Sequence, residues 1–388
     1  MKKVLKILIP VLFILGFGIF LLQWCKVDKI DIVSDDSQEF DQAVVTKVIT
    51  DNLQEDGSRM GNQEVNVRFL TGKRKGQEVE AVSTNGNLYG ATCYVGMKVI
   101  TLTNQAGDVT ITSVYSFNRG PLVIGFVVFF FLLITLVGGK NGLKAVLGLV
   151  IAFILILFFL FPAIYRGMSP ITAAIITVIL TTILTIFILA GYSKKTYAAI
   201  LGTVSGVLIS GIAAWGFGKI SHISGYNVSN IDTLISIANL TNIKVGDLLF
   251  AGILISSLGA VMDVGLSIAS TIVEIHDANP NLNRKELFRR GMNVGKDMMG
   301  TMANTLILAF AGGSLSELML DYTYDLPYLQ LINSYTIGIE VMQSVAGSIG
   351  IILTVPLVSL FAAVLVKGEC ESCESSAVVP VQKESECT

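Results

Sequence analysis

A chain of 388 residues that is 52% hydrophobic and only 14% charged, with a mean hydropathy of +0.69, does not have the balance of a water-soluble globule. Its formal net charge of -2 provides no basic face for a phosphate backbone, which argues against nucleic acid as a partner. The five cysteines, Cys25, Cys93, Cys370, Cys373 and Cys387, are too scattered to form a paired disulfide framework.

In chain order, the first element is "MKKVLKILIPVLFILGFGIFLLQW", a basic start followed by an apolar run over about 5–24. The run is longer than a secretory signal core and no small-x-small cleavage site follows it, so it is read as an uncleaved membrane anchor, residues 1–25. Residues 26–119 are polar and contain "AVVTKVI", "EVNVRFLTG", "QEVEAV", "MKVITLT" and "VTITSVYSF", separated by Gly, Asn and Asp clusters. Period-2 alternation with β-branched residues predicts about five strands, which close into a small barrel of the OB type or lie as an open sheet. Within this segment "LTGKRKGQ", at 70–77, is a basic turn, read as a solvated hairpin tip or as a contact for anionic lipid or a partner.

From Gly120 the apolar runs are long enough to cross a hydrocarbon core of roughly 30 Å as helices. They cover 121–139, 143–163, 170–191, 197–217, 247–274, 297–314 and 345–366, which with the anchor makes eight spans. Residues 120–367 thus form a seven-helix membrane domain, and 368–388 a cytoplasmic, disordered tail. The expected fold class is an α-helical polytopic membrane protein with a small extracytoplasmic β-rich domain. Lys140 and Lys144, Lys194 and Lys195, then Arg284, Lys285, Arg289 and Arg290, and finally Lys367 all fall on the side of Lys2, Lys3 and Lys6 when eight spans are counted. The positive-inside rule makes that side the cytoplasm of a bacterial cell membrane, with both termini inside. The opposite loops carry Glu317, Asp321 and Asp325. Residues 331–345 either start the last span early or lie along the outer surface as an amphipathic helix.

The chemistry-bearing residues lie in the sixth and seventh spans. "LGAVMDVGLSIASTIVEI", residues 258–275, sets one carboxylate, Asp263, in the middle of an apolar helix. Ser256, Gly259, Asp263, Ser267, Ser270 and Glu274 recur every three or four residues and so share one helical stripe. A charged group near the bilayer centre costs about 2.5–3.5 kcal/mol on insertion scales, so Asp263 needs a partner or a wet path. In "GKDMMGTMANTLILAFAGG" Asp297, Thr301 and Asn304 recur at the same spacing, with Gly300 between them, and the two seams are expected to face each other. A carboxylate lined by hydroxyls and an amide can take up and release a proton. The competing reading has the hydroxyls bonding back to their own helix and Asp263 serving only to pack helices. Asp297 is placed between a snorkelling surface residue and a relay member. Glu274, His276 and Asp277 sit at the inner boundary and are read chiefly as solvated.

Elsewhere "GTVSGVLISG", with Gly202, Gly206 and Gly211, reads as a helix-packing face, and Pro356 as a bend or gate in the last span. Glu340 becomes a second membrane acid only if the last helix begins early. The tail's "CESC" has neither a second Cys pair nor a nearby His, so no metal is assigned. No phosphate-binding loop, zinc-protease or serine-hydrolase motif occurs, so no cofactor is expected and the chain is not read as an enzyme.

These residues carry a resemblance. "VRFLTGKRKGQEVEA", "VGMKVITLT", "LGAVMDVGLSIASTIVEI" and "RRGMNVGKDMMGTMANTLILAFAGGSL" resemble the YibE/F family over nearly the whole chain, which implies a bacterial multi-pass membrane protein and supplies no substrate. More distantly, Gly259, Asp263, Glu274, Gly291, Asn304 and Thr305, within 259–313, are similar to the central helix pair of the RND and SecD/SecF membrane proteins. That similarity implies proton-driven transport with Asp263 as coupling site and Asp297, Asn304, Ser267, Thr301 and Glu274 around it. The chain lacks the large outer domains and the second helix set of those proteins, so a homo-oligomer or a partner membrane protein is implied besides the bilayer. The leading expectation is a proton-coupled permease or transport subunit of unknown substrate. The alternative is a non-transporting envelope scaffold or protein-export accessory factor that binds through its outer β domain.

Overall fold

The computed structural model describes residues 23, 24, 26, 27, 38–55, 58–84, 90–106, 109–228 and 231–367. The expected anchor, apart from its last two helical residues, and the expected tail lie outside them. The chain divides into two compact units, one over 29–133 and the other comprising residues up to 28 and from 134 onward.

In the first unit the expected strands form as β1 (Gln38–Thr50), β2 (Asn62–Phe69), β3 (Glu78–Thr84), β4 (Lys98–Ala106) and β5 (Val109–Phe117). They close into a barrel in the order β1-β2-β3-β5-β4 and back to β1, with β3 and β5 parallel and the other pairs antiparallel. Closure leaves no free sheet edge, which an open sheet of five short strands would expose. The alternation seen in the sequence is the inside-outside pattern: Ala43, Val45, Val65, Val67, Phe69, Ala81, Val99 and Val114 fill the interior. β1 serves two partners, β2 and β4, and its register against β2 shifts at Val45/Lys47 and Val48/Thr50, irregularities that bend a strand around a small barrel. The basic turn is the tip of the β2–β3 hairpin, where Lys73 Nζ donates to Glu39 Oε1 at 2.6 Å.

One buried polar residue ties the barrel to the loop before β4. The side chain of Gln63 accepts from the Cys93 N–H at 2.7 Å and donates to the Cys93 carbonyl at 3.1 Å and to Asp51 Oδ1 at 3.0 Å. The Arg59 guanidinium beside Asp51 holds that carboxyl below its ordinary range. Burial pushes the Cys93 thiol up, so it stays protonated and unreactive while the barrel is closed.

The second unit is helical. Its elements are α1 (Gly120–Leu155), a π-helical turn at Ile156–Leu160, α2 (Phe161–Tyr165), α3 (Pro170–Ala190), α4 (Lys194–Ser221), α5 (Ile231–Leu240), α6 (Leu248–Ala278), α7 (Arg284–Gly313), α8 (Leu315–Thr323), α9 (Tyr328–Ile332) and α10 (Tyr335–Lys367). The boundary between the units falls within α1. Among the described residues five stretches are long and apolar enough to cross a membrane: Gly120–Tyr165, Pro170–Ala190, Lys194–Ser221, Val245–Ala278 and Tyr335–Val366. A sixth follows if α7 and α8, which meet at a bend of 62°, make one broken span. The first stretch has 46 residues, about 69 Å as a straight helix and twice what a bilayer core needs. It is broken at Gly139, whose φ of 54° and ψ of -131° are not helical. A side chain at Gly142 would collide with the Ile134 carbonyl, which a continuous helix would hold two turns away. The separate predicted runs 121–139 and 143–163 meet at this break.

One expectation changes and one open alternative is decided. The "RKELFRRG" stretch is not a loop but the first turns of α7, started by Asn283, whose side chain accepts from the Glu286 N–H at 2.8 Å while Glu286 accepts from the Asn283 N–H at 3.1 Å. The last span starts early: Tyr335–Lys367 is one helix, with Pro356 inside it. The helical core is built on close contacts at small residues. A side chain at Gly202 would strike Val358, at Gly206 Thr354 and at Gly211 Leu254, so the glycine row of α4 is the packing face read from the sequence.

Replacing Gln63 by Leu leaves the buried N–H and C=O of Cys93 without partners, each costing about 1–3 kcal/mol. In a full-length chain whose other cysteines are serine, native-state maleimide labelling of Cys93 is expected to accelerate at least about tenfold. An unchanged rate would show that the Gln63 amide does not hold the barrel shut.

Candidate functional site

α6 is enclosed on most of its circumference. Leu254, Leu258, Val261, Met262, Val264, Ile268, Ala269 and Ile272 are buried in the helical core. Gly265 lies so close to α4 that a side chain there would meet Thr203 Oγ1. On the remaining side Gly252, Ser256, Gly259, Asp263, Ser267 and Glu274 are exposed, with Ser270 half-buried. Nothing lies within 4 Å of where a side chain would project from Gly252 or Gly259, so the stripe is an open, shallow track. The carboxylate of Asp263 is at its middle, and no hydrogen bond or ion pair to it occurs among the described residues. Helical geometry alone gathers these residues, because their spacing of three and four keeps them in line while the bulky residues between them turn inward.

α7 runs antiparallel to α6. Gly291 packs on Ile272 and Gly295 on Ile268, and continuing that register brings Gly300 level with Asp263 and Asn304 level with Gly259. The two predicted seams are therefore at matching depth. They do not close on each other: Asp297, Gly300, Thr301 and Asn304 are exposed, as is Asp263. The hydroxyls behave as the simpler reading expects. Thr301 Oγ1 donates to the Asp297 carbonyl at 3.2 Å, Thr305 Oγ1 to the Thr301 carbonyl at 2.9 Å, and Ser256 Oγ to the Ile253 carbonyl at 3.2 Å. The Ser267 carbonyl accepts from Thr271 Oγ1 at 2.9 Å. Bonds of this kind satisfy a hydroxyl within its own helix and leave the carboxylates free of them.

Sequence reasoning missed a second set of polar side chains inside the bundle. Thr203 and Ser210 on α4 and Ser359 on α10 are fully buried, and their hydroxyl oxygens have no partner among the described residues. Each faces a glycine on another helix, Thr203 against Gly265, Ser210 against Gly350 and Ser359 against Gly291. A spacing test sees Ser and Thr there but cannot see the facing glycines, which are far away in the chain.

The model of the YibE/F-like protein family matches residues 126–368. The chain belongs to that family. A search of curated proteins and a search of solved structures both returned no match, and neither shows the expected similarity to the RND and SecD/SecF proteins. The family match covers α3 to α10 in full, and with them both stripes.

Because Asp263 has no partner among the described residues, Asp263→Asn is expected to change the unfolding free energy of detergent-solubilised protein by less than about 0.5 kcal/mol. Gly265→Val, two residues away on the enclosed side, should cost about 1–3 kcal/mol by overpacking against Thr203. Equal losses in thermal unfolding of the two variants would mean that Asp263 is a packing contact.

Proposed function

We propose that this YibE/F-like chain is a subunit of a proton-coupled membrane permease, in which Asp263 takes up and releases the proton. The supporting observation is a carboxylate exposed midway along a 31-residue apolar helix whose other sides are enclosed. Facing lipid tails, that group would cost about 2.5–3.5 kcal/mol or more, whereas facing a wet protein seam it is soluble and can exchange its proton. In the working protein the stripe is covered by a homo-oligomer contact or by a partner membrane protein. Gly252, Ser256 and Gly259 suit that cover, since small residues let a second backbone approach. Ser267 and Glu274 continue the track toward the basic end, and Asp297, Thr301 and Asn304 form the neighbouring polar face of α7.

The same reading takes eight spans with both termini cytoplasmic, residues 26–119 outside and the cell membrane as location. Ties between segments far apart in the chain support this sidedness. Ser169 Oγ donates to Asp247 Oδ2 at 3.0 Å, joining the loop before α3 to the loop before α6. Arg166 lies 4.3 Å over the Trp24 ring and donates to the Lys26 carbonyl at 3.2 Å, putting the end of the anchor with those loops. At the other end Lys194 Nζ donates to the Val366 carbonyl at 3.2 Å, so the basic loop before α4 meets the end of α10. Alternation of the ends, with Lys and Arg concentrated at one of them, is the pattern of a multi-pass protein obeying the positive-inside rule.

The decisive measurement is solute-stimulated proton movement in reconstituted vesicles bearing an imposed pH gradient, read with an internal pH dye over a panel of solutes. Asp263→Asn, nearly isosteric, should abolish it while folded protein in the membrane stays at the wild-type level. If Asp263→Asn is tolerated and deletion of residues 30–115 alone removes the cellular function, the chain is a scaffold and not a permease. The cover is tested separately: in a chain lacking its own cysteines, Ser256→Cys or Gly259→Cys should cross-link between membrane-protein subunits, and Ile268→Cys, buried within the bundle, should not.

A further inference from the structure

A second carboxylate site, remote from Asp263, is built where α7 bends into α8. We infer that this site binds a small organic cation carrying N–H groups, a primary amine or a guanidinium. A cavity of about 430 Å³ lies there, lined by Glu317, Glu340, Asn227, Ser314 and Thr336 among others. Three separate segments build it. α7 stops at Gly313 and the chain turns through 62° at Ser314, which brings Glu317 on the first turn of α8 to the cavity. α10 begins at Tyr335 and presents Thr336, Ile339 and Glu340, which share one face at helical spacing. The third wall is the 3₁₀ turn Gly225–Asn227, fixed by the Ser224 N–H donating to Asn227 Oδ1 at 2.9 Å.

The chemistry of the lining selects the ligand. Oε2 of Glu340 is buried and has no hydrogen-bond partner among the described residues. A carboxylate oxygen taken from water without a partner is costly, and a donor cation in the cavity would remove that cost. Glu317 adds a second carboxylate, and no Lys, Arg or His is among the described lining residues. Size then separates the kinds of cation. The cavity is within the range of roughly 300–1,000 Å³ typical of small-molecule sites and far larger than a dehydrated metal ion fills. Among the described residues no group of three or more His, Cys, Asp and Glu is gathered as a metal would require. No aromatic side chain is among the described lining residues, which supply no cage for a quaternary ammonium. Carboxylate and hydroxyl oxygens match the several N–H donors of an ammonium or guanidinium group. The site does not depend on proton coupling at Asp263 and stands or falls by its own test.

Full-length protein in detergent is titrated with putrescine and with agmatine by calorimetry, beside 1,4-butanediol as an uncharged analogue, tetramethylammonium chloride and magnesium chloride. At least one of the N–H cations should bind saturably, with butanediol, tetramethylammonium and magnesium at least tenfold weaker. Glu340→Gln should weaken that binding at least tenfold, and Asp263→Asn should leave it unchanged. Equal binding of butanediol, tetramethylammonium or magnesium would overturn the assignment. So would the absence of saturable binding by either N–H cation, or full affinity in both Glu340→Gln and Glu317→Gln. A separate check guards against misfolding: Glu340→Gln without ligand should melt no lower than wild type, since Oε2 of the half-buried Glu340 has no partner to lose among the described residues. A lower melting temperature would mean that Glu340 is held by the protein itself and is not available to a cation.

Discussion

The helical unit depends on backbones that approach one another through small residues. Gly202 and Gly206 of α4 take the side chains of Val358 and Thr354, Gly265 of α6 takes Thr203, and Gly295 of α7 takes Val355. A bilayer gives no hydrophobic drive between helices, because lipid tails are as apolar as leucine, so close packing and interhelical polar contacts must supply the association. Each contact fixes the rotation of its helix as well as its distance. With Gly265 locked on α4 and Ile268 and Ile272 locked on α7, α6 has only one direction left in which Asp263 can point, the open one. The exposure of the acid is thus a consequence of the packing on the other three sides.

Much of this was legible in the sequence because it is local. Strand alternation in "EVNVRF" and "VTITSVYSF" becomes the lining of the barrel, and the three-and-four spacing from Ser256 to Glu274 becomes a single exposed stripe. What could not be read is what happens between distant segments. Pairing order is one case: β1 beside β4 and β3 beside β5 follow from closure, which no single strand encodes. The relation of the two stripes is another. Periodicity tells which residues share a face but not how tightly two faces close, and both stripes are exposed at matching depth. The cavity is a third case, because Asn227, Glu317 and Glu340 come from three parts of the chain and meet only when α7 bends at Ser314. Glu340 became interesting only because the last helix starts at Tyr335, ten residues before its apolar run.

The N-terminal end of α7 illustrates how charge can mislead. Arg284, Lys285, Arg289 and Arg290 suggest a solvated loop, yet they are the first turns of a helix, exposed on it, while Leu287 between them and Gly291 just after them are buried. Asn283 and Glu286 supply the reciprocal cap that starts such a helix, a signal short enough to be overlooked beside four cationic residues. The basic end of the bundle is therefore ordered, and its charges stand at defined positions on α7.

α7 is also the element common to both acidic sites. Its middle, from Asp297 to Asn304, lies level with the stripe around Asp263, and its far end bends at Ser314 to form the cavity with Glu317 and Glu340. Few of its residues are buried, Leu287, Gly291, Gly295 and Leu306, whereas α6 buries a residue at almost every turn on three sides. Those few are nonetheless close contacts, Gly291 on Ile272 and Ser359 and Gly295 on Ile268 and Val355, and they hold α7 to both α6 and α10. α6 cannot shift, because its glycine and isoleucine contacts bind it to α4 and α7.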